Sequence, residues 1–220
     1  MIPKRLICTH KSEYALEPKL RFCLERMKEL HPTWEWCFFS DEDCEAFVAE
    51  EMPQYAELYR WYPRPVLKAD CFRLLAVMRL GGFYLDTDFL VEAPLDPLCE
   101  HEVVFPWEWT LGWDDFEMRF PPWLGLKAER RAVGNYAFGA EAGHPFLQAL
   151  LDEMVVRTEN FEAENCVDLD VLHATGPDLV TSVYYERREE WSTVHLLGSR
   201  TMGLGALWGT PHQWQLAAVG

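Results

Sequence analysis

The stretch GGFYLDTDFLVEAPLDPL, residues 81–98, places two aspartates, Asp86 and Asp88, inside a run of apolar and aromatic residues. A run of this character predicts a buried strand. Strand side chains alternate between faces and the chain rises about 3.3 Å per residue. Asp86 and Asp88 are therefore expected to point the same way, with Cα atoms about 6 to 7 Å apart. Both carboxylates would then reach a single point.

Two carboxylates that face one point repel each other, by roughly 3 kcal/mol at about 5 Å and an effective dielectric of about 20. A partly buried pair therefore needs a cation or a proton. Mg²⁺ and Mn²⁺ prefer oxygen ligands and are commonly bound by one or two carboxylates together with substrate phosphates. The alternative is a strand end with two solvated acids. Solvated acids are the more frequent explanation of an isolated D-x-D triplet, so the choice between the two interpretations depends on the surrounding sequence.

The bulk composition bounds the size and the partners of the protein. The chain has 220 residues, 49% of them apolar, which suffices for one domain with a sizeable core over residues 1–220. Its formal net charge of -16 argues against nucleic acid or an anionic membrane as the main partner, because both attract basic patches. No apolar run has signal-peptide or membrane-spanning length, so we expect a soluble, cytoplasmic chain without a transmembrane segment.

The seven cysteines are scattered, odd in number and without a C-x-x-C pair. Most lie among apolar residues, where a free thiol behaves as a small hydrophobe. This pattern favours a reducing compartment and indicates neither a zinc site nor a disulfide.

Short apolar runs alternate with segments of helical period along the chain. Besides the acidic strand, strands are predicted at 5–9, 34–39, 101–107, 133–140 and 192–198. Helices are predicted near Pro18, after Ser40 as an N-cap with Asp43 three residues on, at 67–80, and at Pro145 and Pro177. Strands interleaved with helices indicate an α/β fold of three layers with a largely parallel sheet.

The helix at 67–80 leads through two glycines into the acidic strand. Its apolar stripe contains Cys71, Leu74, Leu75 and Met78. Asp70 and Arg73, at i and i+3, are neighbours on another face. A surface ion pair is one interpretation. The other is a ligand site, because the helix returns toward the carboxyl end of the strand, where ligands bind in open α/β sheets.

The segment KADCFRLLAVMRLGGFYLDTDFLVEAPLDPL resembles the sugar-binding segment of glycosyltransferase family 32. The shared pattern is a K-A-D-x-x-R helix, a Gly-Gly turn, Y-x-D-x-D and P-L-D, at fixed spacing over some thirty residues. Shorter segments are similar in the expected order and cover most of the chain: IPKRLICTHKS, WCFFSDED, GNYAFGAEAGHPFLQALL, TGPDLVT and PHQWQ. Ile7 and His10 depart from the family pattern, which often has His and Trp there.

The resemblance implies a GT-A fold, a Rossmann-like α/β/α nucleotide-sugar-binding domain, with a Mn²⁺ or Mg²⁺ cofactor. Asp88 would hold the ion, with Asp86 bound directly or through water or ribose. Arg73 would lie near the donor sugar or phosphate, Asp70 would accept from sugar hydroxyls, and Asn135 would lie at the reactive face. Further donor contacts are implied for Thr9, Thr87 and Trp214. His212 is assigned either to the metal shell or to the surface.

The function implied is retaining transfer of a sugar from a UDP- or GDP-sugar to a hydroxyl of a glycan or glycolipid acceptor. A front-side displacement fits, because no covalent nucleophile can be named. Four tryptophans after the acidic strand suit either acceptor stacking or core packing: Trp107, Trp109, Trp113 and Trp123. Two alternatives stay open: a HAD-type phosphohydrolase, whose D-x-D usually lies on the first strand, and an inactive nucleotide-sugar- or carbohydrate-binding relative.

Overall fold

The computed structural model describes residues 1–14, 16–110, 118–120, 131–159, 161 and 166–197, together with the backbone of 202–203 and 212–214. The side chains of 108–110 lie outside this description. All structural statements below concern these residues.

The described chain alternates strands with helices. The strands are β1 Arg5–Thr9, β2 Glu35–Phe39, β3 Gly82–Leu85, β4 Phe89–Val91, β5 Val103–Thr110, β6 Arg131–Val133, β7 Ala137–Ala140, β8 Val194–Leu197, β9 Met202–Gly203 and β10 His212–Trp214. The helices are α1 Pro18–Leu30, α2 Asp41–Glu51, α3 Ala56–Trp61, α4 Pro65–Leu80, α5 Pro145–Glu159, α6 Asp168–Ala174 and α7 Pro177–Glu186. Short 3₁₀ turns lie at Pro53–Tyr55, Asp96–Glu100 and Arg188–Glu190.

A central sheet, seven-stranded within the described residues, has the order β2-β1-β3-β7-β5-β6, with β8 also paired to β5. Three pairings are parallel: β1 with β2, β1 with β3, and β5 with β8. The other three, which join β3, β7, β5 and β6, are antiparallel. The prediction of a largely parallel sheet is therefore wrong. The segment 133–140, predicted as one strand, turns at Gly134–Tyr136 instead, and β7 runs back between β3 and β5.

The sheet is covered on both faces, as a three-layer fold requires. Successive residues of β1 and β3 alternate between two separate apolar clusters. Ile7 and Tyr84 belong to the cluster formed with α4, α5 and α7. Leu6, Cys8 and Phe83 belong to the cluster that includes Leu24 and Met27 of α1. The α/β/α class expected from the sequence is confirmed.

The first half of the chain follows its local signals closely. Strand β1 and helix α1 lie where predicted. At α2, the Ser40 hydroxyl accepts from the Asp43 N–H at 3.2 Å and the Asp43 carboxylate accepts from the Ser40 N–H at 2.9 Å, a reciprocal capping box. Helix α6 was not anticipated. Within the described residues no helix combines the length and apolarity that crossing a membrane requires.

The turn from α4 into β3 depends on glycine. Gly81 has φ of 65°, and its N–H donates to the Val77 carbonyl at 2.9 Å, which ends the helix. A Cβ built on Gly81 would lie 2.9 Å from both the Ala142 nitrogen and the Pro3 side chain. The two glycines therefore permit the close return that brings α4 beside the strand.

The acidic pair lies in a turn and not on a strand. Strand β3 ends at Leu85, the Phe89 N–H donates to the Asp86 carbonyl at 2.9 Å, and β4 begins at Phe89. The Asp86 N–H donates to the Tyr136 carbonyl at 2.8 Å, beyond the last paired residue of β3. The expectation that strand alternation aligns Asp86 with Asp88 is therefore wrong. After this turn the chain leaves the central sheet, and β4 pairs with β10 in a separate small sheet.

Candidate active site

The candidate site lies at the carboxyl ends of β1 and β3. Strand β1 lies between β2 and β3 in the sheet. The chain segments that follow β1 and β3 therefore leave the sheet in opposite directions. Such a switch point leaves a crevice, and ligands of open α/β sheets bind there. Helix α4 and the turn before β7 supply the side chains that meet at the end of β3.

Arg73 of α4 joins the acids of the site. Its Nη1 lies 3.1 Å from Asp70 Oδ1, and its Nη2 lies 3.1 Å from Asp86 Oδ1. Nη1 also donates to the Asn135 carbonyl at 3.0 Å. Arg73 is 6% exposed and Asp70 is 5% exposed, so the surface-pair interpretation of these two residues is excluded. The structure thus brings together four of the predicted site residues.

Asp70 accepts two further hydrogen bonds, and a third links their donors. Asn135 Nδ2 donates to Asp70 Oδ1 at 3.1 Å, and the Thr175 hydroxyl donates to Asp70 Oδ2 at 3.0 Å. The same Asn135 amide donates to the Thr175 carbonyl at 3.4 Å. Thr175 is fully buried and was assigned no role from the sequence. Its only sequence signal is the Thr-Gly-Pro start of α7, which does not reveal its partner.

Asp86 is the more accessible acid of the cluster, with 27% of its side chain exposed. The Tyr84 hydroxyl donates to Asp86 Oδ1 at 2.8 Å, on the oxygen that also faces Arg73. The Arg73 guanidinium lies 4.9 Å from the centroid of the Tyr84 ring. Tyr84, a second residue without a role from the sequence, therefore orients both charged partners.

Burial and charge shift the pKa values of the cluster in different directions. Burial raises the pKa of Asp70 to about 6, against the opposing effects of Arg73 and of the Thr175 hydrogen bond. Burial alone would lower the pKa of Arg73, but the Asp86, Tyr84 and Asp70 side chains outweigh it and raise the pKa. Burial also raises the pKa of Tyr84 well above its ordinary value. At neutral pH, Arg73 is a fixed cation and Tyr84 a proton donor.

The acids fit a metal ion that is shared with a substrate. Asp88 follows Asp86 in the turn and is partly exposed. Burial raises the pKa of the Cys23 thiol in α1 to about 11, and the charge of Asp88 adds to this shift, so Asp88 lies on the side of α1. No cluster of three or more His, Cys, Asp or Glu side chains in the described part of the chain forms a metal cage. Two carboxylates completed by phosphate oxygens are a common setting for Mg²⁺ or Mn²⁺.

A cleft of about 290 Å³ opens beside this cluster. Among its lining residues are Thr9, Asp41, Glu45, Tyr59, Arg64 and Lys68. Ala69 also lines it, and the next residue in α4 is Asp70. Thr9, for which a donor contact was predicted, lines the cleft at the end of β1, whereas the residues of the buried cluster are not among its lining residues. Lys68 begins the K-A-D-x-x-R motif and Asp41 lies in the WCFFSDED segment, but neither residue was assigned a role from the sequence.

The remaining predicted residues are placed less completely. Thr87 is buried in the acidic turn. The backbone of β10 runs parallel to β4, with His212 opposite Phe89 and Trp214 opposite Val91. His212 is therefore next to Asp88 in register, while the side chains of both tail residues lie outside the described part.

The structure also places three other residues named from the sequence, Trp107, Ile7 and His10. Trp107 packs against Tyr184 and Tyr185 of α7, with ring centroids 6.3 and 6.2 Å away, which is a packing role. The side chain of Trp109, and Trp113 and Trp123 entirely, lie outside the described residues. Ile7 is in the core, and the His10 Nδ1 atom is buried without a partner among the described residues.

The mixed α/β sheet, with an acidic turn and a buried Asp–Arg cluster at its switch point, has the GT-A-type fold of known glycosyltransferase domains. Comparison with known proteins agrees. Residues 18–105 match the family described as "Glycosyltransferase sugar-binding region containing DXD motif". This match covers less than half of the chain, and it supports the resemblance to family 32.

Curated relatives are similar over most of this chain. Mannosyl phosphorylinositol ceramide synthase CSH1 of Saccharomyces cerevisiae is 25% identical over 87% of this chain and 44% of its own length. Inositol phosphoceramide mannosyltransferase 3 of Schizosaccharomyces pombe is 26% identical over 71% of this chain and 37% of its own. The initiation-specific alpha-1,6-mannosyltransferase of Candida albicans is 24% identical over 72% and 45%. The chain therefore spans less than half the length of these relatives.

Solved structures support the fold. The PaToxG glycosyltransferase superposes with a TM-score of 0.56 at 15% identity, covering 87% of this chain and 72% of that chain. The ligand-free glycosyltransferase domain of the YGT toxin gives a TM-score of 0.56 at 9% identity, covering 89% and 80%. Both likenesses concern the fold alone.

Proposed function

We propose that this chain is a metal-dependent, retaining glycosyltransferase that moves a sugar from a nucleoside diphosphate sugar to a hydroxyl of a glycan or glycolipid. The observation that carries the proposal is the buried Asp70–Arg73–Asp86–Asn135 cluster beside an open cleft. A cluster of charges is unfavourable to bury unless it serves a ligand or is fully paired. Asp70, Arg73 and Asp86 lie within the matched sugar-binding region, residues 18–105, and Asn135 lies outside it.

Asp88, with Asp86, would hold Mg²⁺ or Mn²⁺, which neutralises the charge that develops on a departing diphosphate. Asp86 is suited to this role because one of its oxygens, Oδ1, is already held by Tyr84 and Arg73. A fixed carboxylate needs little reorganisation to accept a cation. Arg73 supplies a second positive charge close to the same point. Because Arg73 is buried, its electrostatic attraction for a negative ligand is stronger than it would be at the surface.

Asp70 is suited to bind hydroxyl groups of the donor sugar. An ionised carboxylate has about four acceptor positions, and Arg73, Asn135 and Thr175 occupy three of them. One acceptor position is left for a ligand. Asn135, whose amide is held by Asp70 and the Thr175 carbonyl, fixes the distance between the sugar site and the start of α7.

The cleft from Thr9 to Ala69 would receive the nucleoside part of the donor. It lies at the end of β1, next to the switch point of the sheet, and it extends to Ala69, the residue before Asp70. Lys68 is the cation of its lining that adjoins Ala69, and it would face the diphosphate. A nucleotide sugar laid along this path places its sugar at Asp70 and Arg73.

Retention of configuration and the acceptor class complete the proposal. No side chain of the described site is assigned as a covalent nucleophile, so attack by the acceptor on the face that the diphosphate leaves is the working mechanism. Similarity to relatives named as inositol phosphoceramide mannosyltransferases supports a glycolipid acceptor. A cytoplasmic location is part of the same proposal.

The test is a panel of UDP- and GDP-sugars, each measured for binding and slow hydrolysis with and without Mn²⁺. We expect one donor to bind and to be hydrolysed only with the metal. Binding without turnover of donor or acceptor would support the inactive relative. Phosphate release from simple phosphate esters, without a preference for nucleotide sugars, would support a phosphohydrolase and contradict the proposal.

A further inference from the structure

A patch of exposed apolar side chains lies beside the cleft. Nine large apolar side chains among the described residues are exposed, and four of them lie at the end of α3 and at the starts of α4 and α6. Phe161, which follows α5, is partly buried and packs edge-on against Trp61, with ring centroids 5.8 Å apart. These five residues define the rim patch: Trp61, Val66, Phe161, Val167 and Leu169.

Contacts between the elements make the rim patch continuous with the cleft. Arg64, the N-cap of α4, pairs with Asp168 at the start of α6 at 2.9 Å, and its Nη1 lies 3.9 Å from the Cys166 sulfur. Residues 62–65 line the cleft, and in the chain they lie directly between Trp61 and Val66. A surface that covers the rim patch would therefore also face the cleft.

Helices α4 and α6 both run from the rim patch to the sugar site. Asp70 follows Val66 in α4, and α6 ends just before Thr175, whose hydroxyl donates to Asp70 Oδ2 at 3.0 Å. At a rise of about 1.5 Å per residue, the sugar site lies about 6 Å beyond Val66 along α4 and about 9 Å beyond Leu169 along α6. The rim patch thus lies one short step outside the sugar site.

This step matches the thickness of a lipid headgroup layer. A bilayer measures about 30 Å across its hydrocarbon and about 40 to 45 Å with its headgroups, so one headgroup layer is about 5 to 8 Å thick. If the rim patch lies at the hydrocarbon boundary, the headgroups of that leaflet reach the level of Asp70 and Thr175. A headgroup hydroxyl can then meet the donor sugar while its lipid stays in the bilayer.

The residue types of the rim patch suit a bilayer surface without net charge. Tryptophan is enriched where a membrane meets water, because its ring is apolar and carries one polar N–H. Two arginines adjoin the patch, and each is paired with an acid: Arg60 with Glu45 at 3.8 Å, and Arg64 with Asp168 at 2.9 Å. The net charge of -16 repels anionic lipid, so zwitterionic lipid is the matching partner.

We propose that the rim patch docks this domain on a zwitterionic bilayer, so that a lipid-linked acceptor reaches the sugar site at Asp70 from the membrane. This inference rests on the proposed function and specifies where its acceptor is held. The bilayer itself is the partner, and binding of a second copy of the chain at the patch is an outcome that the test distinguishes.

The test measures flotation of the whole chain with phosphatidylcholine vesicles. Wild-type protein is expected to bind them, and replacement of about a fifth of the lipid by phosphatidylserine is expected to weaken binding through charge repulsion. Trp61→Ser and Leu169→Ser are each expected to lower the partition coefficient about fivefold to tenfold, because interfacial binding scales with the apolar area that is buried. Both side chains are exposed, so their replacement leaves the core intact.

Phe22→Ser is the matched control for these variants. Phe22 is 60% exposed, but it lies on α1, which packs against the other face of the sheet through Leu24 and Met27. This variant is expected to bind vesicles as wild type does. Hydrolysis of the nucleotide sugar in the absence of vesicles is expected to be unchanged in Trp61→Ser, because Trp61 contacts neither the buried cluster nor the cleft lining listed above.

The outcomes separate this inference from the proposed function. No vesicle binding by wild type, or equal losses in Trp61→Ser and Phe22→Ser, overturns docking and leaves the glycosyltransferase proposal intact. Stronger binding to the vesicles with phosphatidylserine overturns the neutral bilayer. A dimer in sedimentation that Trp61→Ser dissociates would assign the patch to a contact between copies and also overturn docking. Vesicle binding by a chain that hydrolyses no nucleotide sugar would contradict the proposed function alone.

Discussion

At the scale of single residues, the site is a compact set of charges whose partners restrict one another. Arg73 contacts Asp70 and Asp86 at the same distance of 3.1 Å, and Tyr84 and Thr175 each hold one of these acids with a hydroxyl. A change at one position therefore alters the charge and the orientation of its neighbours. Four groups of variants test these relations and the turn that positions them.

Asp86→Asn and Asp88→Asn are each expected to lower turnover by roughly 100-fold or more while the fold persists, because each removes half of the charge that would hold the cation. Turnover with saturating Mn²⁺ and the far-UV circular dichroism spectrum are the measurements. Asp96→Asn is the matched control, since Asp96 is an acid of the same segment paired with Lys4 on the surface. Full activity of Asp86→Asn or Asp88→Asn would exclude the metal role.

The raised pKa of Asp70 predicts an unusual pH dependence of stability. The folded state binds a proton with a pKa of about 6, above the ordinary 3.8, so the folded form takes up the proton first as the pH falls. This contribution to stability is present below about pH 4 and is lost as the pH rises through about 6, with a total of roughly 3 kcal/mol. The shift thus penalises the folded state at neutral pH.

Urea unfolding of wild type and Asp70→Asn at several pH values between 4 and 7 isolates this effect. The free energy of unfolding of wild type, minus that of the variant, is expected to increase as the pH falls. Carboxylates outside the cluster contribute equally to both proteins and cancel. A difference that does not change with pH would show that Asp70 titrates normally.

Thr175 is expected to position Asp70 without touching the substrate itself. Thr175→Val keeps the shape but leaves Asp70 Oδ2 without its buried donor, a loss of about 1.5 to 3 kcal/mol for a hydrogen bond to a charged group. We expect kcat/KM to fall about tenfold and the acidic limb of its pH profile to move upward. Thr175→Ser retains the hydroxyl and is expected to restore both; equal defects in the two variants would indicate packing alone.

At the scale of elements, the position of the cluster depends on the turn between α4 and β3. Gly81→Ala is expected to destabilise the protein by about 1 to 3 kcal/mol, because it adds a Cβ at φ of 65° and at 2.9 Å from backbone. Gly143→Ala is the matched control. Gly143 also has a positive φ, 73°, but its Cβ would meet no atom within 4 Å, so only the conformational cost of about 1 kcal/mol is expected. Equal midpoints in urea unfolding would contradict the close-approach argument.

The same elements explain why the acidic residues face a cleft. Strand β3 is buried along its full length, so the first positions at which a carboxylate can meet solvent lie in the turn after Leu85. Helix α4 is buried from Asp70 to Val77, and of the two charged residues in this stretch, Arg73 reaches Asp86 in the turn and Asp70 pairs with Arg73. A strand carrying both acids would have buried at least one without a partner.

At the scale of the whole molecule, metal removal should separate folding from donor binding. The described residues contain no preformed metal cage, so EDTA is expected to leave the melting temperature of the free protein unchanged. A bound donor at 100 times its Kd is expected to stabilise the protein by about 2.7 kcal/mol, or about 5 to 10 °C for a chain of this size. EDTA should abolish that rise. A fall in the melting temperature of the free protein with EDTA would instead indicate a structural metal.

The overall charge of the molecule also indicates that donor binding depends on local groups of the site. With a net charge of -16, the molecule repels a diphosphate at long range, so the affinity must come from a few local cations. Arg73 and Lys68 are the candidates on the donor path. We therefore expect the site, and not the surface, to determine how donor binding responds to salt.

The amino-acid sequence by itself determined most of the elements and the residue types at their ends. The capping box at Ser40, the proline starts of α1, α5 and α7, and the glycine end of α4 act within a few residues, so they can be recognised without the fold. The K-A-D-x-x-R and D-x-D residues were likewise recognisable because their spacing lies within one helix–turn–strand unit.

Only the tertiary structure decided how these residues act together. The bond from Arg73 to the Asn135 carbonyl spans 62 residues of sequence, and the bond from Thr175 to Asp70 spans 105. Contacts between distant segments also produce three other features: the antiparallel insertion of β7, the cleft between β1, α2 and α4, and the burial that raises the pKa of Asp70. The physical reason is that burial and pairing of charges depend on which distant segments pack together, and local pattern carries no information about that packing.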